Sequence, residues 1–195
     1  MKISAIILSA GFSSRINVFK PLLKINERTF LEEIVFKLED IVSEVVVVLG
    51  YKSDEILNTV NLKSAKFVLN ENYEKGMFSS LKQGILEIQD GNAFLLNPVD
   101  CPLVKKQTYK QIVEFWQKKL KKIIIPQYEN KKGHPAIFPA WSTDEILKYP
   151  DNTPGGVRNF IERNFSSVEL FKTDDRGVII DIDTIEDYKR WIGKF

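Results

Sequence analysis

Ile3-Ser4-Ala5-Ile6-Ile7-Leu8, running straight into Ser9-Ala10-Gly11-Phe12-Ser13-Ser14-Arg15, is the stretch on which the fold turns. A short, nearly unbroken apolar run rich in isoleucine reads as a strand covered on both faces, as in a parallel sheet. It is too short for a secretory signal, and Gly11, Arg15 and Lys20 follow at once. The small residues after Leu8 let the backbone approach a ligand, and N–H groups in such a turn cradle phosphate oxygens. Arg15 and Lys20 set two cations against a polyphosphate. The spacing is neither the dinucleotide fingerprint nor the P-loop. On these residues alone, an ordinary βα loop with solvated cations explains the pattern as well.

Outward from this strand, further apolar runs recur at Val45–Leu49, Phe67–Leu69, Ala93–Leu96, Ile123–Ile125, Ala136–Phe138 and Val178–Ile182. Between them lie helical stripes, Phe30, Leu31, Ile34, Val35 and Leu38 in one and Tyr109, Ile112, Val113, Trp116 and Leu120 in another. The alternation predicts an α/β, Rossmann-like fold in three αβα layers around a mostly parallel sheet. Beyond Pro126 it loosens into the polar stretch Gln127 to Pro135 and the loop from Tyr149 to Gly156. No linker, repeat or low-complexity tract divides residues 1–195, so one domain is expected. With the common strand order 3-2-1-4-5, the loops after Leu8 and Leu96 share a crevice at the switch point.

The second of those loops is Asn97-Pro98-Val99-Asp100-Cys101-Pro102-Leu103-Val104. Two prolines stiffen it around Asp100, which suits a Mg²⁺ ligand, since that ion demands near-octahedral oxygen geometry from one or two carboxylates. The competing role, capping the helix that starts near Lys105, would need the aspartate several residues later.

Bulk composition narrows the partners. The 195 residues are 44% hydrophobic and 28% charged with a formal net charge of +2, an ordinary globular balance that favours neither nucleic acid nor an acidic tail. Cys101 is the single cysteine and His134 the single histidine, so disulfides within the chain, cysteine-based zinc clusters and histidine-pair metal sites are excluded. A reducing cytoplasm is the expected location, with no membrane partner. The lysines at 118, 119, 121, 122, 131 and 132 read as a solvated helix end and loop, lacking the aromatics of a single-strand nucleic-acid platform.

Taken together, the loops carry a resemblance. Leu8-Ser-Ala-Gly-Phe-Ser-Ser-Arg15 with Lys20 is similar to L-A-A-G-x-S-x-R-M-G-x-x-K, the opening signature of the MobA-like NTP transferases, which include the molybdenum cofactor cytidylyltransferases. Asn70, Gly76 and Ser80-Leu-Lys-Gln-Gly84 resemble its N…G-x-x-x-S-L-x-x-G segment. Asp100-Cys-Pro102-Leu-Val104 resembles D-x-P-x-V. Gly133-His134-Pro135 resembles the G-H-P turn of the cytidylyl branch, and Asp181-Ile-Asp183-Thr184-Ile-Glu186-Asp187 resembles D-I-D-T-P-E-D. The chain departs from the pattern at Ser9, Ile16, Asn17 and Ile185; asparagine is the non-glycine residue that best tolerates the positive φ a glycine at 17 would serve.

The resemblance implies a fold of the nucleotide-diphospho-sugar transferase type, with nucleotide in the N-terminal half and acceptor in the C-terminal half. It places the base against the main chain of Leu8, Ser9, Ala10 and Gly11, with Ser13, Asn70, Gly76 and Ser80 completing the wall. It gives Arg15 and Lys20 the β- and γ-phosphates, Asp100 the Mg²⁺, and Asp183 a second carboxylate on the metal, although Asp183-Thr184 also reads as a helix N-terminus. Gly133, His134, Pro135, Gly156 and Arg158 would line the acceptor site; a turn histidine and a surface arginine at a helix entry are the plainer readings of two of these. The implied reaction is attack of an acceptor phosphate on the α-phosphorus of CTP, releasing pyrophosphate, with molybdopterin as acceptor and a molybdoenzyme as receiver of the product. GTP as donor, a sugar or alditol phosphate as acceptor, and a non-catalytic nucleotide- or cofactor-delivery protein are the alternatives. A dehydrogenase is disfavoured because G-x-G-x-x-G and its distal acid are missing.

Overall fold

The computed structural model describes residues 2–12, 19–89 and 91–193. β1 (Ile3–Ser9) is buried along its whole length, and its alternate residues feed two cores. Ile3, Ala5 and Ile7 face one helical layer, Ile6 and Leu8 the other, which is why the run is apolar almost throughout. A small hairpin, β2 (Lys24–Ile25) and β3 (Arg28–Thr29), leads into α1 (Phe30–Leu38). Thr29 and Glu32 form a capping box there: each side chain accepts from the other's backbone N–H. The stripe Phe30, Leu31, Ile34, Val35 and Leu38 is buried as its spacing predicts.

The chain continues through β4 (Glu44–Leu49), α2 (Ser53–Thr59), β5 (Ala65–Leu69), α3 (Met77–Glu87), β6 (Ala93–Pro98) and α4 (Lys106–Gln117). α4 buries Tyr109, Ile112, Val113 and Trp116 but stops at Gln117. Leu120, expected to extend that stripe, lies beyond the helix and is exposed. Then follow β7 (Ile123–Tyr128), β8 (Lys131–Lys132), β9 (Ala136–Phe138), α5 (Trp141–Leu147), α6 (Gly156–Arg163), β10 (Val168–Lys172) and α7 (Ile185–Trp191).

The sheet runs β10-β7-β9-β6-β1-β4-β5, with β8 paired to β7. β1 sits between β4 and β6, parallel to both, so the first and fourth strands of the βα series are neighbours as expected. The order 3-2-1-4-5 itself needs correction: β9, antiparallel to both β6 and β7, is wedged between the fourth and fifth parallel strands. The reason is local. After β7 the chain does not cross over through a helix; Tyr128 pairs with Lys131 in a tight hairpin and the chain returns into the sheet. α1, α4 and Tyr188 of α7 cover one face, whereas α3, α5 and α6 cover the other.

A second correction concerns Val178–Ile182, which is not a strand. Residues Arg176–Ile179 form a 3-10 turn, capped by the Asp175 carboxylate accepting from the Gly177 N–H. That buried carboxylate also accepts from the Lys105 N–H and the Thr108 hydroxyl, pinning the segment over the end of the sheet. Val178, Ile180 and Ile182 are buried, so the apolar pattern is real, but the segment's backbone bonds go to loops: the His134 N–H donates to the Val178 carbonyl, and the Ile182 N–H to that of Asp100. The edge strand is instead β10, parallel to β7. Among the described residues no helix is long and apolar enough to cross a membrane.

Candidate functional site

At the carboxyl end of β1 the loop is held from both sides. The Val99 N–H donates to the Leu8 carbonyl, and the Tyr51 N–H donates to the Ala10 carbonyl. These bonds open a crevice of about 340 Å³ whose wall runs from Leu8 through Phe12, then Lys20, Gly76, Met77, Ser80 and Pro98 to Asp100. The loops after β1 and β6 thus share one cavity, at the switch point where an α/β sheet binds ligands. Ser13 and Arg15, with Ile16 and Asn17, lie outside the described residues.

The far wall comes from the start of α3. Gly76 has φ +100°, a conformation that favours glycine, and it offers no capping side chain to the helix. Asn70 does not reach the crevice. It is buried behind the wall, donating to the Ser79 and Ser80 hydroxyls at 3.0 and 2.9 Å and accepting from the Asn72 N–H. In this structure it braces Ser80, which does line the crevice. One feature of this wall escaped the sequence reading: Phe12, half exposed, stands with its ring 5.3 Å from those of both Tyr51 and Tyr73.

At the opposite end of the crevice, residues distant in sequence converge. Lys20 is buried, and its ammonium donates to Asp100 at 3.4 Å and to Asp183 at 2.5 Å. Both carboxylates assigned to the metal therefore share one cation. The bond from the Ile182 N–H to the Asp100 carbonyl ties the C-terminal segment to the β6 loop. On the other side of Ile182, Asp181 accepts from the Cys101 thiol at 3.0 Å. Ligand atoms of Asp100, Cys101 and Asp181 all lie within 4.8 Å of one another. Burial, then the charges of Asp100 and Asp181, pushes the thiol pKa well up, so Cys101 stays protonated and donates. Asp181 was quoted in the sequence motif but given no role; that it stands two residues from Asp183 in the same segment was the available signal.

Asp181 also lines a second and larger cavity, about 950 Å³, together with Gly133, His134, Gly156 and Arg158. Gly133 is required by close approach: a Cβ there would lie 1.8 Å from the Val178 carbonyl oxygen. His134 is held neutral, because burial outweighs the opposing charges of Asp181 and Asp100. Pro135, buried beside it, enters β9. Arg158 is on the wall, but its guanidinium bonds Glu162 at 2.9 Å and its side chain is 85% exposed. Lys132, assigned from the sequence to a solvated loop, is on this wall too. Gly76 and Met77 border both cavities.

A MobA-like NTP transferase domain matches residues 5–168. The chain belongs to that family. It is a nucleotidyltransferase by descent, with a fold of the nucleotide-diphospho-sugar transferase type. The molybdenum cofactor cytidylyltransferase of Escherichia coli K12 is 25% identical over 187 residues, 95% of this chain and 93% of that protein. The nicotine blue oxidoreductase of Paenarthrobacter nicotinovorans is also 25% identical, covering 96% of this chain and 95% of its own length. Among solved structures, Rv0371c of Mycobacterium tuberculosis H37Rv superposes with a TM-score of 0.87 at 22% identity, over 100% of this chain and 98% of that one. A manganese complex of the same protein gives 0.82 at 21% identity, covering all of both chains. In this MobA-like transferase the matched region takes in both cavities' parallel strands but ends before Asp181 and Asp183.

Proposed function

We propose that the chain transfers CMP from CTP to the phosphate of molybdopterin, releasing pyrophosphate, in the cytoplasm. The observation that carries this is the meeting of the two cavities: Asp100 on the small crevice and Asp181 on the large pocket are within 4.8 Å of each other. Two substrates bound side by side would have their reacting phosphates there. The N-terminal half supplies the nucleotide wall and the C-terminal half the acceptor wall. Phe78, Leu96, Ile125, Val157 and Ile161 give the large pocket apolar faces, which suit a bulky heterocycle better than a hydroxyl-rich sugar. The preference for CTP rests on Ser9-Ala10-Gly11, nearer the alanine-rich cytidylyl pattern than a double-glycine guanylyl one, and on the cytidylyltransferase relative.

The donor set also fits a hard divalent ion. Asp100, Asp183 and Asp181 offer carboxylate oxygens, a hard donor set suited to Mg²⁺ or Mn²⁺. Asp100 and Asp183, with Asp181 adjacent, would hold Mg²⁺. When bound, the ion would neutralise charge on the reacting phosphates. The remaining work belongs to the chain. Lys20, already inside the crevice, turns its ammonium from carboxylates to the phosphates of the leaving pyrophosphate, with Arg15 beside it. The acceptor phosphate is ionised near neutral pH, its second pKa being about 6, so no strong base is needed. Neutral His134 orients the acceptor by hydrogen bonding. Catalysis then comes from in-line positioning and charge stabilisation.

The decisive assay incubates the protein with Mg²⁺ and CTP, GTP, ATP or UTP, with and without molybdopterin. Pyrophosphate is expected from CTP only when molybdopterin is present. Release with GTP instead reassigns the donor, and release with a sugar phosphate reassigns the acceptor. Nucleotide binding without release under any acceptor indicates a delivery protein. A second reading, an oxidoreductase, has the support of the nicotine blue enzyme, which is also 25% identical; it predicts no pyrophosphate from any triphosphate. Asp100→Asn should abolish turnover with the circular dichroism spectrum intact, and undiminished activity in that variant would remove Asp100 from the metal.

A further inference from the structure

The large pocket has three cations on its wall, and two of them are compensated. Lys75 faces Asp151 at 3.6 Å, a carboxylate it shares with Lys82 at 2.8 Å, and Arg158 is bonded to Glu162 at 2.9 Å. Lys132 differs. Among the described residues no carboxylate lies within ion-pairing distance of it; its ammonium is 5.9 Å from the ring centroid of exposed Phe165. The backbone accounts for its direction. β8 is a two-residue strand paired to β7, Gln127 opposite Lys132 and Tyr128 opposite Lys131. Successive side chains of a strand point to opposite faces, and of the pair only Lys132 borders the pocket. Gly133, the next residue, is pressed against the Val178 carbonyl, and its own N–H donates to the Pro126 carbonyl at 3.0 Å. The base of the lysine is therefore fixed while its tip remains in solvent.

We infer that Lys132 is the residue that anchors an anionic group of the acceptor, a phosphate or another oxyanion, in the large pocket. This rests on the acceptor occupying that pocket. An uncompensated ammonium beside apolar faces attracts an anion more strongly than one already paired with a carboxylate, because the guanidinium of Arg158 must first give up Glu162. Lysine acts as a point charge on a flexible stem and makes no demand for bidentate geometry, so the contact is a positioning one. Its loss changes where the acceptor sits and leaves the triphosphate untouched.

Two measurements on the full-length protein test this. First, the nucleotide crevice is saturated with a non-hydrolysable CTP analogue and Mg²⁺, and inorganic phosphate is titrated calorimetrically. Wild type and Lys132→Arg should bind phosphate; Lys132→Ala should bind it at least fivefold more weakly, with unchanged affinity for the analogue. Second, with molybdopterin as acceptor, Lys132→Ala should raise the acceptor KM about tenfold while kcat and the CTP KM stay within twofold. Equal phosphate binding by wild type and Lys132→Ala, or no phosphate binding by wild type, overturns the inference. Failure of wild type to use molybdopterin, with phosphate binding still lost in Lys132→Ala, defeats the acceptor assignment and leaves the anion site standing.

Discussion

The proposed nucleotide crevice and the proposed acceptor pocket share the same sheet, yet they are made in different ways. The crevice sits at the ends of β1 and β6, two adjacent parallel strands, and its loops leave them in the same direction. One side of its wall is the small-residue run Ser9, Ala10 and Gly11, with backbone bonds such as Val99 to Leu8 and Tyr51 to Ala10 setting its shape. The pocket sits where the chain doubles back: a hairpin, an antiparallel strand between two parallel ones, and a segment without ladder bonds laid over the strand ends. Its wall depends on close approach between stretches remote in sequence, above all Gly133 against Val178. A parallel βα series yields a site whose position follows from strand order, whereas an inserted hairpin yields one that exists only when the whole chain is packed.

That contrast can be broken or sharpened by substitution. The largest effect is expected at Lys20, which is common to the crevice and the carboxylates: Lys20→Met should lower kcat/KM for the triphosphate by about 10²–10³-fold, the loss typical of removing one preorganised charge-stabilising donor. Steady-state kinetics of pyrophosphate release check it, and a value within threefold of wild type would detach the crevice from catalysis. Next comes Gly133→Ala, whose new Cβ meets a backbone oxygen that has no flexible side chain to give way. It should destabilise the protein by about 1–3 kcal/mol in urea titration and raise the acceptor KM while leaving CTP affinity alone. Equal damage to both substrates would mean that the two sites are not mechanically separate. The smallest change is at the α7 cap, where Thr184 and Asp187 form a reciprocal box. Thr184→Ala should cost about 1 kcal/mol, read as a fall of about 2–4 °C in Tm for a chain of this size, with kcat little altered, because the backbone bond from Ile182 to Asp100 holds the carboxylates.

The same contrast explains what could be read in advance. Ile3–Leu8 and the loops after it announced the crevice, because a doubly covered parallel strand leaves an unmistakable apolar run and its loop falls at the switch point. Asp100 and Asp183 were both named and are found around one ammonium. The motif cannot say that the Asn70 amide turns to Ser79 and Ser80, because that depends on which atoms face inward. Val178–Ile182 reads as a strand because burial on both sides produces the same alternation whether the hydrogen bonds run to a ladder or to loops. β10 was overlooked for the opposite reason: Val168–Lys172 is only half buried, with charged residues at Glu169 and Lys172, as edge position allows. Lys132 was set aside as one of many lysines, since nothing in a two-residue strand reveals which side chain turns toward a cavity.

Lys20 and Asp183 are 163 positions apart, and Cys101 and Asp181 are 80 apart. Contacts of that sequence separation carry the largest loop-closure cost and form late relative to local ones. On a ribosome the strands from β1 to β6 can pair before Asp181 and Asp183 have been synthesised. The growing chain would then own a nucleotide-shaped cleft with one of its carboxylates, and a cation with no second acid to meet. The charge cluster on which turnover is proposed to depend is thus completed only after the strands that carry the crevice have been made, so the crevice and its second carboxylate are separate acquisitions of the folding chain.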